Sequence, residues 1–278
     1  MKKIVVEVVS AAEDQTEDWF WVQGALSVSS LPPHEEKRIL EGLFNEIDPC
    51  AFQTGLEVLL ADHMDPIRSL TLQNVDEQAW QVSWRESFKP LEAGGFRLVG
   101  EWERPAKMDQ RTILIYPGMA FGTGQHETTR LVLDRLNECN LEGVRVCDAG
   151  CGSGILSIAA ERLGAAEVFG FDADPDCQEN MAHHLRINET RRTTLEIGTL
   201  DRFQLQPFDV IVANITVNVL QIIWPQLALL LKPNGRLISS GILDSQQTLA
   251  VTSLKACGLA IDDIRTSGEW LLIEASRP

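Results

Sequence analysis

The sequence predicts an α/β protein, an open and mostly parallel sheet wound with helices, preceded by a smaller α+β unit. Three stretches carry that expectation. Asp148-Ala149-Gly150-Cys151-Gly152-Ser153-Gly154 lies between a strand-like run at 144–147 and a helix-like run at 155–163. A second strand-like run, 167–171, ends in Asp172, about 20 residues past the glycines. A third, Phe208–Asn214, has apolar and β-branched residues on both faces, as a parallel strand covered on both sides requires.

From the N-terminus, 4–9 reads as a strand and 11–25 as a helix carrying Trp19, Phe20 and Trp21. A short strand at 26–29, an amphipathic helix at 35–47 and two strands at 55–60 and 69–75 follow. This order suits a ferredoxin-like sandwich over residues 1–73. Residues 74–112 read as a connecting segment, with Trp80, Trp84, Phe88 and Trp102 set among Pro90, Gly94-Gly95 and Pro105. Tryptophans so concentrated are packing surface more often than a ligand cage, and they read here as an interdomain seat with glycines that permit rotation.

The remainder, 113–278, is the larger domain. Strands at 144–148, 167–172, 194–198, 208–213 and 236–240 alternate with helices at 155–163, 176–187, 217–231 and 245–257, and two strands near 260–266 and 270–275 close it.

A glycine turn between strand and helix suits a nucleotide cofactor. Without Cβ atoms the backbone passes close beneath a ligand, and the unpaired amides of the new helix point at it. The dinucleotide fingerprint G-x-G-x-x-G is not met, because with glycines at 150 and 152 its third position falls on Ile155. That spacing argues against NAD or FAD. Asp172 is placed to accept hydrogen bonds from both hydroxyls of an adenosine ribose; helix capping, the alternative, falls better to Asp174 of Asp174-Pro175. Asn214 ends its strand at the carboxyl edge, where open α/β sheets bind ligands, and capping the next helix is equally open to it.

Composition narrows the class. The chain has 278 residues, 44% of them hydrophobic, enough for a sizeable core. Its net charge is −16, and residues 1–100 alone carry 8 Lys/Arg against 17 Asp/Glu. Such a field repels polyanions, so no direct nucleic-acid binding is expected, while a basic protein is steered in; simple solubility accounts for the charge equally well. The start, Met1-Lys2-Lys3-Ile4-Val5-Val6, resembles a signal peptide, but Glu7 interrupts it, and no apolar run reaches membrane-spanning length. A cytoplasmic, monomeric protein without a membrane partner is expected. The six cysteines are scattered with no C-x-x-C pair, which speaks for free thiols and against a disulfide framework or a metal site. Cys147 and Cys151 read as small residues packed around the turn.

One longer block is more specific than the glycines: Pro117-Gly118-Met119-Ala120-Phe121-Gly122-Thr123-Gly124-Gln125-His126-Glu127-Thr128-Thr129. With 151–156 (CGSGIL), Asp172-Ala173-Asp174-Pro175, Ala213-Asn214-Ile215, Leu231-Lys232-Pro233-Asn234-Gly235, Ser240-Gly241-Ile242-Leu243 and Glu269-Trp270, it resembles the class I S-adenosylmethionine-dependent methyltransferases, and among them the ribosomal protein L11 methyltransferase family. The similarity runs from about Trp80 to the C-terminus. It implies a seven-stranded Rossmann-like domain behind a ferredoxin-like substrate-recognition domain, S-adenosylmethionine as cofactor, and methylation of amino groups on ribosomal protein L11. By the same resemblance Thr129, Gly150, Gly152, Asp172 and Asn214 are cofactor contacts, Asn214 lies nearest the transferred methyl as the catalytic residue, and Phe121 and Trp270 wall the channel. His126 is a tempting base, but a histidine in a glycine loop is more often a structural hydrogen-bonder. Where the family has Leu-Ala-Gly-Pro this chain has Thr216-Val217-Asn218-Val219, which keeps a lysine methyltransferase with another protein substrate in view. A cofactor-binding module without activity is disfavoured by the intact glycines, Asp172 and Asn214.

Overall fold

The computed structural model describes residues 1–25, 27–30, 37–44, 46–64, 66–75, 85, 88–116 and 124–278. Chain contacts divide it into two units, Met1–Ser87 and Phe88–Pro278.

In the first unit the element order is β1 (Lys2–Val9), α1 (Glu13–Val22), β2 (Ser27–Ser30), β3 (Lys37–Phe44), α2 (Pro49–Leu59) and β4 (Ile67–Asn74), and the strands form one antiparallel sheet in the order β2-β3-β1-β4. Strand β1 alternates as a half-covered strand must, with Ile4, Val6 and Val8 buried. Phe20 of α1 and Phe52 of α2 meet over that face with ring centroids 5.0 Å apart.

Two sequence expectations are corrected here. Residues 37–44, inside the expected helix at 35–47, form β3: Lys, Glu and Leu favour a helix, but the segment pairs with β1 on one side and β2 on the other, and that pairing overrides local preference. Residues 55–59, inside the expected strand at 55–60, belong to α2. The missed signal was Asp48-Pro49. Asp48 Oδ1 accepts from the amides of Cys50 at 2.9 Å and Ala51 at 3.2 Å, Pro49 takes the first helical position, and Phe52 and Leu56 form a buried i, i+4 pair.

The second unit holds a three-stranded sheet, β5 (Leu91–Ala93), β6 (Phe96–Gly100) and β7 (Thr112–Ile115), and a seven-stranded one. The larger sheet comprises β8 (Arg145–Ala149), β9 (Glu167–Asp172), β10 (Thr193–Ile197), β11 (Phe208–Asn214), β12 (Leu231–Leu243), β13 (Ala260–Ser267) and β14 (Trp270–Ser276), in the order β10-β9-β8-β11-β12-β14-β13. Its first five strands are parallel neighbours, and β14 inserts antiparallel between β12 and β13. The helices are α3 (Glu127–Glu138), α4 (Ile155–Arg162), α5 (Cys177–Ile187), α6 (Val217–Leu230) and α7 (Gln247–Ala256). Fully buried Trp224 of α6 reaches β12, its Nε1 donating to Ser239 Oγ at 3.0 Å.

Helix α3 was not foreseen, and the expected linker 74–112 contains β5 and β6. Gly94-Gly95 lies inside the second unit. It is the β5–β6 turn, with both φ angles positive, and it lies so close to α3 that a Cβ on Gly94 would sit 2.4 Å from the Leu133 backbone. The Gly94 amide donates to Asp134 Oδ1 at 2.7 Å. Trp102 packs edge-on against Phe88 at 6.0 Å, while Trp80 and Trp84 lie outside the described residues. All six cysteines are free, and Cys147 and Cys151 are buried beside the turn.

The first unit's core depends on a missing side chain. A Cβ on Gly42 of β3 would fall 1.9 Å from Phe20 Cδ1, so Gly42→Ala forces that ring out of its place between Phe44 and Phe52. The expected cost is about 1–3 kcal/mol, read from chemical denaturation of the N-terminal unit; an unchanged midpoint would show that the ring has room to move.

Candidate active site

The site is built at the carboxyl ends of β8, β9 and β11, three adjacent parallel strands. After Ala149 the chain turns through Gly150, Gly152 and Gly154 at φ +73°, +50° and +81°, the left-handed region that glycine enters without strain. Gly154 caps α4. The Gly150 and Cys151 amides both donate to Phe171 O, at 2.8 and 3.0 Å, which fastens the turn to the end of β9.

Asp172, half-buried, completes that attachment. Its Oδ2 accepts from the Gly152 amide at 2.8 Å and its Oδ1 from the Asp174 amide at 3.0 Å. Desolvation raises its pKa, and hydrogen bonds from the backbone amides of Asp174, Gly152 and Ala173 pull it back only in part. Beneath the turn lies Asp148, fully buried on β8. Ser157 donates to its Oδ2 at 2.6 Å, while Oδ1 has no partner. Burial, with the nearby Asp172 charge adding to it, raises the Asp148 carboxyl to about 7.

Asn214 ends β11 and Thr129 lies in the first turn of α3, and the fold brings both buried side chains together, Asn214 Nδ2 facing Thr129 Oγ1 at 3.4 Å. Asn214 Oδ1 is buried and unpaired. The next residue is clamped. A Cβ on Gly150 would meet Ile215 Cγ2 at 2.4 Å, and one on Gly241, at φ +81° in the β12 bulge, would meet Ile215 O at 2.5 Å. These two close approaches fix the Asn214–Ile215 edge against the glycine turn.

His126 is the N-cap of α3: its Nδ1 accepts from the Thr128 amide at 3.2 Å, and its ring meets Trp270 edge-on at 4.9 Å. Burial, reinforced by Arg130, lowers its pKa to about 4. That is the structural role expected over the basic one. Phe121, with the rest of 117–123, lies outside the described residues.

Sequence reasoning missed Asp148 as a buried acid and His184 as a buried imidazole on α5. The signal for His184 was present, since Asn180, His184 and Asn188 are polar at the four-residue spacing of one helix face.

A sequence model of the family described as ribosomal protein L11 methyltransferase (PrmA) matches residues 2–278. A ribosomal protein L11 methyltransferase of Geobacillus kaustophilus is 37% identical over 214 residues, 75% of this chain and 68% of that one. One from Synechococcus elongatus is 34% identical over 262 residues, 90% of this chain and 84% of that one. The crystal structure of ribosomal protein L11 methylase from Lactobacillus delbrueckii subsp. bulgaricus superposes with a TM-score of 0.63 at 32% identity, over 68% of this chain and 99% of that chain.

Strand order, glycine turn and these similarities define a class I S-adenosylmethionine-dependent methyltransferase. Within that class, the chain belongs to the ribosomal protein L11 methyltransferase family.

Asp148 leaves a measurable mark on stability. Its carboxyl titrates near 3.8 in the unfolded chain and about 7 in the folded one, so the folded state keeps a proton that the unfolded state has released. Its contribution is therefore greatest below pH about 4 and is lost as pH rises to about 7. Asp148→Asn should flatten the fall of the thermal midpoint across that window. Parallel profiles for variant and parent would contradict the buried, raised carboxyl.

Proposed function

We propose that this protein transfers methyl groups from S-adenosylmethionine to amino groups of ribosomal protein L11, on lysine side chains, the N-terminal α-amine, or both. The observation that carries the chemistry is the open acceptor Asn214 Oδ1, buried beside Thr129 at the carboxyl edge of the sheet. The substrate is supported by a family match that takes in the N-terminal unit as well as the catalytic one.

The residues fit the cofactor. Asp148 Oδ1 and Asn214 Oδ1 are buried acceptors without donors, suited to a ligand that brings N–H and O–H groups and positive charge. Asp172 Oδ2 accepts from the Gly152 amide and Oδ1 from the Asp174 amide, and a carboxylate with further lone pairs can also take a ribose hydroxyl. Gly150 and Gly152 would carry the backbone beneath the ligand and Thr129 would contact its methionine end.

When bound, the cofactor supplies an electrophilic methyl on its sulfonium. The chain's own task is to hold an uncharged amine in line with that methyl and to exclude water. A lysine in water has a pKa of about 10.4 and an α-amine about 8, so the site favours the neutral amine by desolvation and by cationic surroundings. Asn214 Oδ1 orients the nitrogen by accepting one of its hydrogens. His126, committed to the α3 cap with a pKa of about 4, is not the base. A second reading, another protein substrate, is favoured by the segment Thr216–Val219 beside Asn214, where Val219 is 45% exposed.

The reading is tested by incubating the protein and methyl-labelled cofactor with total protein from cells lacking its gene. Label in ribosomal protein L11 is expected; label confined to another band would select the second reading. Asp172→Ala should weaken cofactor binding by about 2–4 kcal/mol, since it removes charge-assisted bonds to the ribose and frees the Gly152 amide. Unchanged calorimetric affinity in a folded variant would remove Asp172 from the ribose role.

We also assign the N-terminal unit to gripping the protein substrate. A soluble fragment spanning Phe88–Pro278 should then keep cofactor affinity within a few-fold of the parent and lose L11 methylation, because contacts remote from the amine position it. Full methylation by that fragment would end this division of labour.

A further inference from the structure

Asn180 and His184 of α5 and Asn188 at its C-cap lie four residues apart, and all three are buried. Buried polar side chains are costly unless they are paired. Asn188 pairs with β7 and with its own helix, its Nδ2 donating to Leu114 O at 2.9 Å and to His184 O at 3.0 Å and its Oδ1 accepting from the Leu114 amide at 2.8 Å. His184 reaches two places at once. Its Nδ1 donates to Ser153 O at 2.9 Å, within the glycine turn, and its Nε2 accepts from the Tyr116 amide at 2.8 Å, one residue before Pro117. The transfer chemistry makes no use of this imidazole.

The two bonds demand one tautomer, with the proton on Nδ1. Burial supplies it by lowering the pKa to about 4, so the ring stays neutral at physiological pH. Imidazole holds a donor and an acceptor apart on a rigid ring. An Asn or Gln amide carries both at a single carbon and cannot span the same gap.

We propose that His184 is a positioning residue for the cofactor, a strut that fixes the glycine turn at Ser153 against the end of β7 at Tyr116. The proposal rests on the reading that S-adenosylmethionine is held by the glycine turn. The turn follows β8 of the seven-stranded sheet and Tyr116 follows β7 of the three-stranded one, and His184 is a direct side-chain tie to both.

Calorimetric titration of S-adenosylmethionine into folded full-length variants tests it. His184→Ala breaks both ties and should raise the Kd about ten-fold or more. His184→Asn keeps a donor near the Nδ1 place and His184→Gln an acceptor near the Nε2 place. Each keeps one tie and should raise the Kd about three-fold, and both remain available if the alanine variant does not fold. Asn188→Ala supplies the comparison: it also loosens α5 from β7, removes a bond to the His184 carbonyl and lowers the thermal midpoint, but it leaves both ring ties of His184 in place, so its Kd should stay within about two-fold of the parent. In turnover, the KM for the cofactor should rise in the His184 variants while that for the protein substrate does not. A Kd unchanged in all folded His184 variants, or raised equally by Asn188→Ala, overturns the strut. A parent protein that binds no S-adenosylmethionine overturns the cofactor reading, and the strut with it.

Discussion

The carboxylate of Asp172 is the joint on which the site depends. It belongs to β9, yet it holds the turn that follows β8 through Gly152 and the loop that follows its own strand through Asp174. Burial works against the charge and raises its pKa, and hydrogen bonds from the Asp174, Gly152 and Ala173 amides offset part of that cost. One residue earlier, Phe171 O takes the amides of Gly150 and Cys151, so the whole turn is registered against the end of β9. A backbone held in that register passes through the left-handed region three times, which is why glycines stand at 150, 152 and 154.

Parallel pairing brings everything else to the same edge. Strands β8, β9 and β11 run side by side in one direction, so the turn, Asp172 and Asn214 emerge together. Gly241 and Gly150 press on Ile215 from the backbone and the side-chain side, which sets Asn214. Helix α3 adds Thr129 from above, capped by His126 and tied to β14 by the bidentate Arg135–Glu274 pair at 2.5 and 2.9 Å. Burial raises the pKa of both acids at this edge, Asp148 and Asp172.

What was legible in the sequence was local in origin. The glycine spacing, the acid ending β9 and the asparagine ending β11 are set by backbone geometry within a few residues, and the structure places all three at one edge. Thr129 was reached only through resemblance, because its helix opens on His126-Glu127 in place of a Ser, Thr, Asp or Asn cap. The N-terminal unit was misread where tertiary pairing decides: β3 is written in helix-forming residues, and α2 announces itself only by Asp48-Pro49. The burial of Asp148 could not be read, since it requires layers on both faces of β8 that the local sequence does not show.

Acidic charge over both halves of the chain fits a basic protein partner, and the open acceptor of Asn214 fits an amine nucleophile. Mass spectrometry joins these two claims in one experiment. Purified ribosomal protein L11 is incubated with the full-length protein and with S-adenosylmethionine carrying a trideuterated methyl, then sequenced by fragmentation. The account predicts mass increments of whole trideuteromethyl groups on amine nitrogens. An unmodified L11, in a mixture where the protein demonstrably holds the cofactor, would contradict it.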